Sequence, residues 1–180
     1  MEKSGKRAIF LDRDGVLTEE RGYITSVGDM KIFPYAADCI HQIQKKGYYA
    51  IVVTNQSGIA RGLFTEEQLD EMNTYLKQQT GVDAIYYCPH HVKGTIVKYR
   101  KICRCRKPQT GLYETACKEF HINMQGSYMV GDRASDILAG QNIGVKTILL
   151  ESGYGTARME EKVEPDYIVS DLRGVVEILR

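Results

Sequence analysis

Apolar and polar positions along the chain fall into alternating blocks of two kinds. Short continuous apolar runs, Ala8–Leu11, Tyr48–Val53, Ala84–Tyr87, Ser127–Val130, Val145–Leu149 and Tyr167–Val169, read as strands. Unbroken apolar runs of this length suit strands covered on both faces, as in parallel sheets. Between them the apolar residues switch to helical spacing. Pro34 suits a first helical turn, Ala36, Ile40 and Ile43 share one face, and Gly47 marks the stop. Thr65-Glu66-Glu67-Gln68 has the form of a capping box, opening a helix whose buried stripe is Leu69, Met72 and Leu76. Further helices are predicted over Gly111–Phe120, over Ala134–Asn142 and from Asp171 onward. Thr18–Asp29 is a loop, Met30–Phe33 a short extended flap, and Cys88–Arg106 an irregular segment. Repeated βα units of this kind predict an α/β fold with a doubly wound, mostly parallel sheet, and the 180 residues are expected to form one domain.

Ligands of such folds gather at the carboxyl ends of the strands, and there this chain carries its polar chemistry. The first strand runs directly into Asp12-Arg13-Asp14-Gly15. Residues two apart on an extended backbone project to one face, so Asp12 and Asp14 can share a small space. Crowded carboxyls point to a divalent cation, or to a division into one charged and one protonated acid. The second strand ends in Thr54-Asn55-Gln56-Ser57-Gly58, a hydroxyl and a turn of backbone N–H groups suited to phosphate oxygens. Lys107 precedes Pro108, which holds it extended, and the fourth strand ends in Gly131-Asp132, with Asp136 one helical turn later. Each feature also has a plain structural interpretation: an Asp-Gly turn, a polar loop, a solvated lysine, a helix N-cap at Asp132.

Composition narrows the function classes. A net charge of +1 gives no global attraction to nucleic acid or to an acidic membrane, and no apolar run approaches the ~20 residues of a membrane span. The N-terminus is basic but leads into too short an apolar strand for a signal peptide, so a cytoplasmic protein is expected. Five cysteines are an odd number for a disulfide framework, and Cys88, Cys103 and Cys105 crowd together. With His90 they form two clamps, Cys88-Pro89-His90 and Cys103-Arg104-Cys105, a Cys₃His set suited to structural zinc that would stiffen a long loop. Spacing alone leaves His91 as an alternative to His90. Cys39 and Cys117 fall within helical patterns and read as small core residues.

The order of acid pair, hydroxyl, cation and acid at successive strand ends resembles the haloacid dehalogenase superfamily of phosphatases, from about Ala8 to Leu150. Val16 departs from the pattern, since many members carry Thr there. The resemblance implies that Asp12 is the nucleophile, that Asp14 is the general acid and base, and that Thr54 and Lys107 stabilise the transferring phosphoryl group. It implies Mg²⁺ held by Asp12, the main-chain carbonyl of Asp14, and Asp132, with Asp136 orienting Lys107 or a water on the metal.

The zinc loop narrows the likeness. Thr54-Asn55-Gln56-Ser57-Gly58-Ile59-Ala60-Arg61-Gly62, Tyr87-Cys88-Pro89-His90-His91 and Cys103-Arg104-Cys105-Arg106-Lys107-Pro108 resemble the D-glycero-D-manno-heptose 1,7-bisphosphate 7-phosphatases of nucleotide-activated heptose biosynthesis. That likeness implies His90 as the zinc ligand. It also implies substrate contacts from Arg13, Glu20, Arg21, Gly22, Tyr23, Asn55, Gln56, Ser57 and Arg106. The histidinol-phosphate phosphatases share the zinc loop and are the rival; a second cation at Arg106 beside Lys107 favours a bisphosphate. No large insertion follows Asp14 or Thr54, so no separate cap domain is expected, and the enzyme is expected to be a monomer. A different class of function, a zinc-stapled basic loop that binds nucleic acid, rests on Lys93, Lys98, Arg100, Lys101, Arg104, Arg106 and Lys107 around Tyr99, and the near-neutral net charge opposes it.

Overall fold

In the computed structural model, which describes residues 5–159 and 161–179, six parallel strands form one sheet in the order β3-β2-β1-β4-β5-β6. The basic stretch Met1–Ser4 lies outside the described residues. The strands are β1 (Arg7–Leu11), β2 (Tyr48–Asn55), β3 (Ala84–Cys88), β4 (Tyr128–Gly131), β5 (Lys146–Leu150) and β6 (Tyr167–Val169). Helices α1 (Ala36–Lys45), α2 (Glu66–Thr80), α3 (Gly111–Phe120), α4 (Ala134–Asn142) and α5 (Leu172–Ile178) alternate with them.

Strand alternation sorts the core into two layers. Ile9 and Leu11 of β1 face α1, α2 and α5 through Ile40, Ile43, Leu69, Met72, Leu76 and Leu172. Ala8 and Phe10 face the other way, onto Tyr113 and Ala116 of α3 and Ala139 of α4. Because both faces are covered, the strands lack the apolar–polar alternation of a half-exposed sheet. Val16 is fully buried in the first layer, which is why an apolar side chain is tolerated there.

The chain leaves β1 towards β2 and β3 on one side, then crosses back to β4 on the other. Strand order reverses between β1 and β4, and this switch point opens a crevice beyond their carboxyl ends. Asp12 follows β1 and Asp132 follows β4, so both stand at its mouth, and the Asp12 N–H donates to Val130 O at 3.0 Å.

Local differences from the sequence expectation have simple causes. Met30–Phe33 forms no strand of its own: Ile32 makes a lone bridge to Thr18, and Glu19 N donates to Lys31 O at 2.8 Å, which folds the flap back on the loop after β1. Pro34 lies in the turn before α1 rather than inside its first turn. Between β1 and α1 the described residues hold only one 3₁₀ turn, Val27–Asp29, so no cap domain stands over the crevice. Asp132 is not the N-cap of α4: Arg133 holds that position, and the Asp136 carboxylate accepts its N–H at 3.1 Å.

At α2 the capping box forms as read, with Thr65 Oγ1 accepting from Gln68 N at 3.2 Å and Gln68 Oε1 accepting from Thr65 N at 2.9 Å. Thr65→Ala is expected to cost about 1 kcal/mol. Urea unfolding checks this as a lower midpoint at unchanged slope; an unmoved midpoint would contradict it.

Candidate active site

Lys107 lies at the centre of the crevice, on the turn that leads from the cysteine loop into α3. Its ammonium is buried and surrounded by three acceptors: Asp12 Oδ1 at 3.0 Å, Asp136 Oδ1 at 2.6 Å and Val53 O at 2.7 Å. An ammonium has three protons, so its donors are matched. Burial works against the charge on Lys107, but Asp12 and Asp136 outweigh it and hold the group above its ordinary range. Asn55 fixes the backbone here in both directions, its Oδ1 accepting from Lys107 N at 3.0 Å and its Nδ2 donating to Lys107 O at 3.2 Å.

One ammonium faces three buried carboxylates. Asp12, Asp132 and Asp136 each bring an oxygen to within 4.8 Å of the others. Burial, reinforced by Asp12 and Asp136, pushes the Asp132 carboxyl up to about 8; burial also raises Asp136, to about 6, against the pull of Lys107. Asp132 Oδ2 accepts from Tyr154 N at 2.8 Å, whereas its Oδ1 is buried without any partner. An orphaned carboxylate oxygen beside two further acids is the donor set of a hard divalent cation, and the residues fit one. The space is kept by glycines. A Cβ on Gly153 would lie 2.1 Å from Asp132 Oδ2, and one on Gly15, whose φ is +81°, would lie 2.3 Å from it.

Asp14 is placed differently. Its two oxygens accept Arg13 Nε and Nη2 at 3.0 Å each, Thr18 Oγ1 at 3.0 Å and Gln56 Nε2 at 3.1 Å. Gln56 Nε2 also donates to Thr54 Oγ1 at 3.0 Å, linking the acid to the hydroxyl. Asp12, Asp14, Thr54 and Lys107 line a single cavity of about 250 Å³ together with Glu20, Gly22, Tyr23, Asn55, Gln56, Ser57 and Arg106.

The cysteine loop converges as its spacing promised. Cys88, His90, Cys103 and Cys105 bring their ligand atoms within 4.8 Å of one another. His90 Nδ1 lies 3.2 Å from Cys105 Sγ and 3.7 Å from Cys88 Sγ. His91 is outside the cluster, where its Nδ1 accepts from Lys93 N at 3.0 Å, so the fold separates two histidines that spacing could not. Cys105 Sγ lies 2.7 Å from Cys88 Sγ and 3.3 Å from Cys103 Sγ, and its contact with Cys88 is the main cause that holds its thiol below the ordinary range. Arg106 follows directly, its Nη1 donating to His90 O at 3.3 Å, so the loop that gathers the thiols also carries two of the cavity's cations.

Known proteins with this arrangement are close at hand. A family model described as HAD-hyrolase-like matches residues 104–175. Over 180 residues the chain is 42% identical to the D-glycero-beta-D-manno-heptose-1,7-bisphosphate 7-phosphatase of Haemophilus ducreyi, with 96% of this chain and 97% of the relative covered. It is 36% identical to the enzyme of that name from Escherichia coli K12, covering 96% and 93%. A crystal structure of D,D-heptose 1.7-bisphosphate phosphatase from B. bronchiseptica, complexed with magnesium and phosphate, superposes with a TM-score of 0.80 at 31% identity, covering 96% and 97%.

The chain belongs to the D-glycero-β-D-manno-heptose-1,7-bisphosphate 7-phosphatase family.

Within this family frame, two residues expected at the substrate stand elsewhere. Arg13 is 1% exposed and spends its donors on Asp14 and on Gln56 Oε1, at 3.2 Å, so it does not line the cavity. Arg21 is absent from the cavity lining; it lines a neighbouring hollow with Asp29 and Lys31 and pairs with Glu19 at 4.0 Å. Conversely, sequence reasoning missed Arg133, Ser135 and Tyr154, which also line the cavity. Arg133 pairs with Glu20 at 3.0 Å and lies 3.9 Å over the Tyr154 ring. Its position directly after Asp132 was the available signal; Tyr154, on the loop after β5, carried none.

The Asp132 shift makes the site's stability depend on pH. Without a cation, Asp132 keeps its proton in the folded state up to about 8, whereas the unfolded chain loses it near the ordinary carboxyl value of 3.8. Between those values the folded state binds more protons, so this group's contribution to stability falls as pH rises. A cation competes with that proton. The gain in Tm on adding Mg²⁺ to magnesium-free protein is therefore expected to be larger at about pH 8.5 than at about pH 5.5. An equal or smaller gain at the higher pH, read by thermal scanning, would contradict the assignment of Asp132.

Proposed function

We propose that this protein removes the 7-phosphate of D-glycero-β-D-manno-heptose 1,7-bisphosphate in the cytoplasm, as a step in making nucleotide-activated heptose. The observation that carries the reading is a single cavity lined by Asp12, Asp14, Thr54, Lys107 and Arg106 in a chain 42% identical to an enzyme of that name.

Asp12 attacks phosphorus and forms an acyl phosphate as the bond to the sugar oxygen breaks. Asp14 gives its proton to the departing alkoxide, then takes one from the water that attacks the aspartyl-phosphate, which restores Asp12 and frees phosphate. Lys107 and the Thr54 hydroxyl stabilise the phosphoryl oxygens as charge spreads over them. Asp136 holds the Lys107 ammonium in place from the far side. When bound to Asp12, the main-chain carbonyl of Asp14 and Asp132, Mg²⁺ supplies positive charge that offsets repulsion between carboxylate and phosphate. Arg106 meets the second phosphate, and Glu20, Gly22, Tyr23, Asn55, Gln56 and Ser57 line the sugar's side of the cavity. Zn²⁺ on Cys88, His90, Cys103 and Cys105 has a structural part, fixing the loop that carries Arg106 and Lys107.

Asp12→Asn is expected to reduce phosphate release at least a thousandfold while the far-ultraviolet circular dichroism spectrum stays that of the wild type. A side-by-side assay with both bisphosphate anomers and histidinol phosphate tests the substrate. The β-bisphosphate should turn over fastest, and preference for histidinol phosphate would overturn the reading. Cys105→Ser is expected to lose the bound zinc, read by elemental analysis, and to speed amide hydrogen exchange across residues 88–107. Unchanged exchange there would refute a structural metal.

A further inference from the structure

The stretch between the two cysteine clamps has no part in the mechanism above, yet its composition is one-sided. Residues 92–104 carry five cations, Lys93, Lys98, Arg100, Lys101 and Arg104, and no carboxylate, in a chain whose formal net charge is only +1. The rest of the chain is therefore net negative, and the excess of positive charge is local. Acids outside the loop answer two of the cations, Glu66 meeting Lys98 at 3.4 Å and Glu114 meeting Arg104 at 2.9 Å. Among the described residues no carboxylate pairs with Lys93, Arg100 or Lys101. The same stretch leaves its aliphatic side chains in water. Ile102 is 89% exposed and Val97 74%, and Val92 and Ile96 are exposed with them. One exposed aliphatic residue needs no explanation, but four within eleven residues, set among unpaired cations, do. Nor is this a frayed loop. Its ends are pinned where His90 and Cys103 converge, and across it His91 N donates to Tyr99 O at 3.1 Å and Arg100 N to Ile96 O at 3.1 Å. Ile96 N, donating to Ala60 O at 3.0 Å, seats the lobe on the loop after β2.

We propose that this lobe docks the protein onto an anionic lipid surface, its cations meeting the headgroups while Val97 and Ile102 enter the acyl boundary. Charge complementarity selects the anion, and the aliphatic side chains select lipid over nucleic acid. Single strands are held by exposed aromatic faces on which bases stack. The one tyrosine of the lobe, Tyr99, gives its hydroxyl to Glu66, and Lys98 Nζ stands 4.7 Å over its ring. Exposed Ile and Val gain nothing from a phosphate backbone but gain by leaving water at a bilayer. A near-neutral chain is compatible with such docking, because attraction to a charged surface fades within a Debye length, ~8 Å at physiological salt. Only the lobe's own charges lie close enough to count. The inference is independent of the substrate reading, since none of residues 92–104 lines the catalytic cavity.

The test sediments the full chain, with both metals bound, together with lipid vesicles. Phosphatidylcholine vesicles carrying about a third phosphatidylglycerol should pull the protein down, and vesicles of phosphatidylcholine alone should not. Lys93→Gln with Lys101→Gln should weaken the partition about thirtyfold, the equivalent of about 1 kcal/mol for each cation near such a surface. Val97→Ser with Ile102→Ser should weaken it about tenfold or more, while turnover and the circular dichroism spectrum of both variants stay those of the wild type. Equal binding to both kinds of vesicle, no binding to either, or a partition that either variant leaves unmoved would overturn the proposal. So would displacement by a single-stranded oligonucleotide at matched phosphate concentration, which would give the lobe to nucleic acid instead. Should the variants fail to fold, amide hydrogen exchange of the wild type decides. Anionic vesicles should slow exchange across residues 92–104, and slowing confined to other segments would overturn the assignment of this lobe.

Discussion

The crevice is organised by the burial of one lysine ammonium among three carboxylates. Lys107 pairs with Asp12 and Asp136, and burial together with those two acids raises the third, Asp132. Burying like charges together is costly unless something pairs them. Here the three acids meet where β1 and β4 diverge, and Asp132 Oδ1 is buried without a hydrogen-bond partner. A dianionic phosphate entering such a site meets repulsion from the acids unless a cation comes with it. The same clustering of acids is what suits the crevice to a divalent cation.

That arrangement explains why the geometry of the cysteine loop matters to the site. Lys107 reaches the acids from the last turn of an irregular segment, and irregular segments carry little core of their own. Two devices fix it: the reciprocal hydrogen bonds of Asn55 to its backbone, and the gathering of Cys88, His90, Cys103 and Cys105 just upstream. A further tie runs from the loop to α2, where Glu66 accepts hydrogen bonds from Tyr87 and Tyr99. The charges of the centre and the geometry of the loop are thus one construction. Asp14 stands apart from it, paired with its own arginine.

Much of this was legible in the chain. The strand and helix blocks were readable because both faces of the sheet are covered, so apolar runs and helical stripes stand out against polar turns. The strand-end acids, Thr54, Lys107 and the cysteine clamps were readable because each sits at a fixed offset from such a block. What escaped lies in loops or depends on side-chain direction. Arg13, between two acids at the cavity, gave no sign that it would turn inward and be buried; Arg21 was placed by the family resemblance alone; Tyr154 follows β5 with no pattern around it.

Sequence by itself determined the class of fold, the order in which chemical groups meet the crevice, and the ligand types at both clusters, because periodicity and residue type are local properties. Tertiary structure decided which groups touch. It chose His90 over His91, turned Asp136 onto Lys107 and the α4 cap, bound Asp14 to Arg13 and Gln56, and brought Arg133 and Tyr154 to the rim. Those outcomes depend on distances between residues tens of positions apart, which are fixed only when the sheet closes and burial forces each polar atom to find a partner.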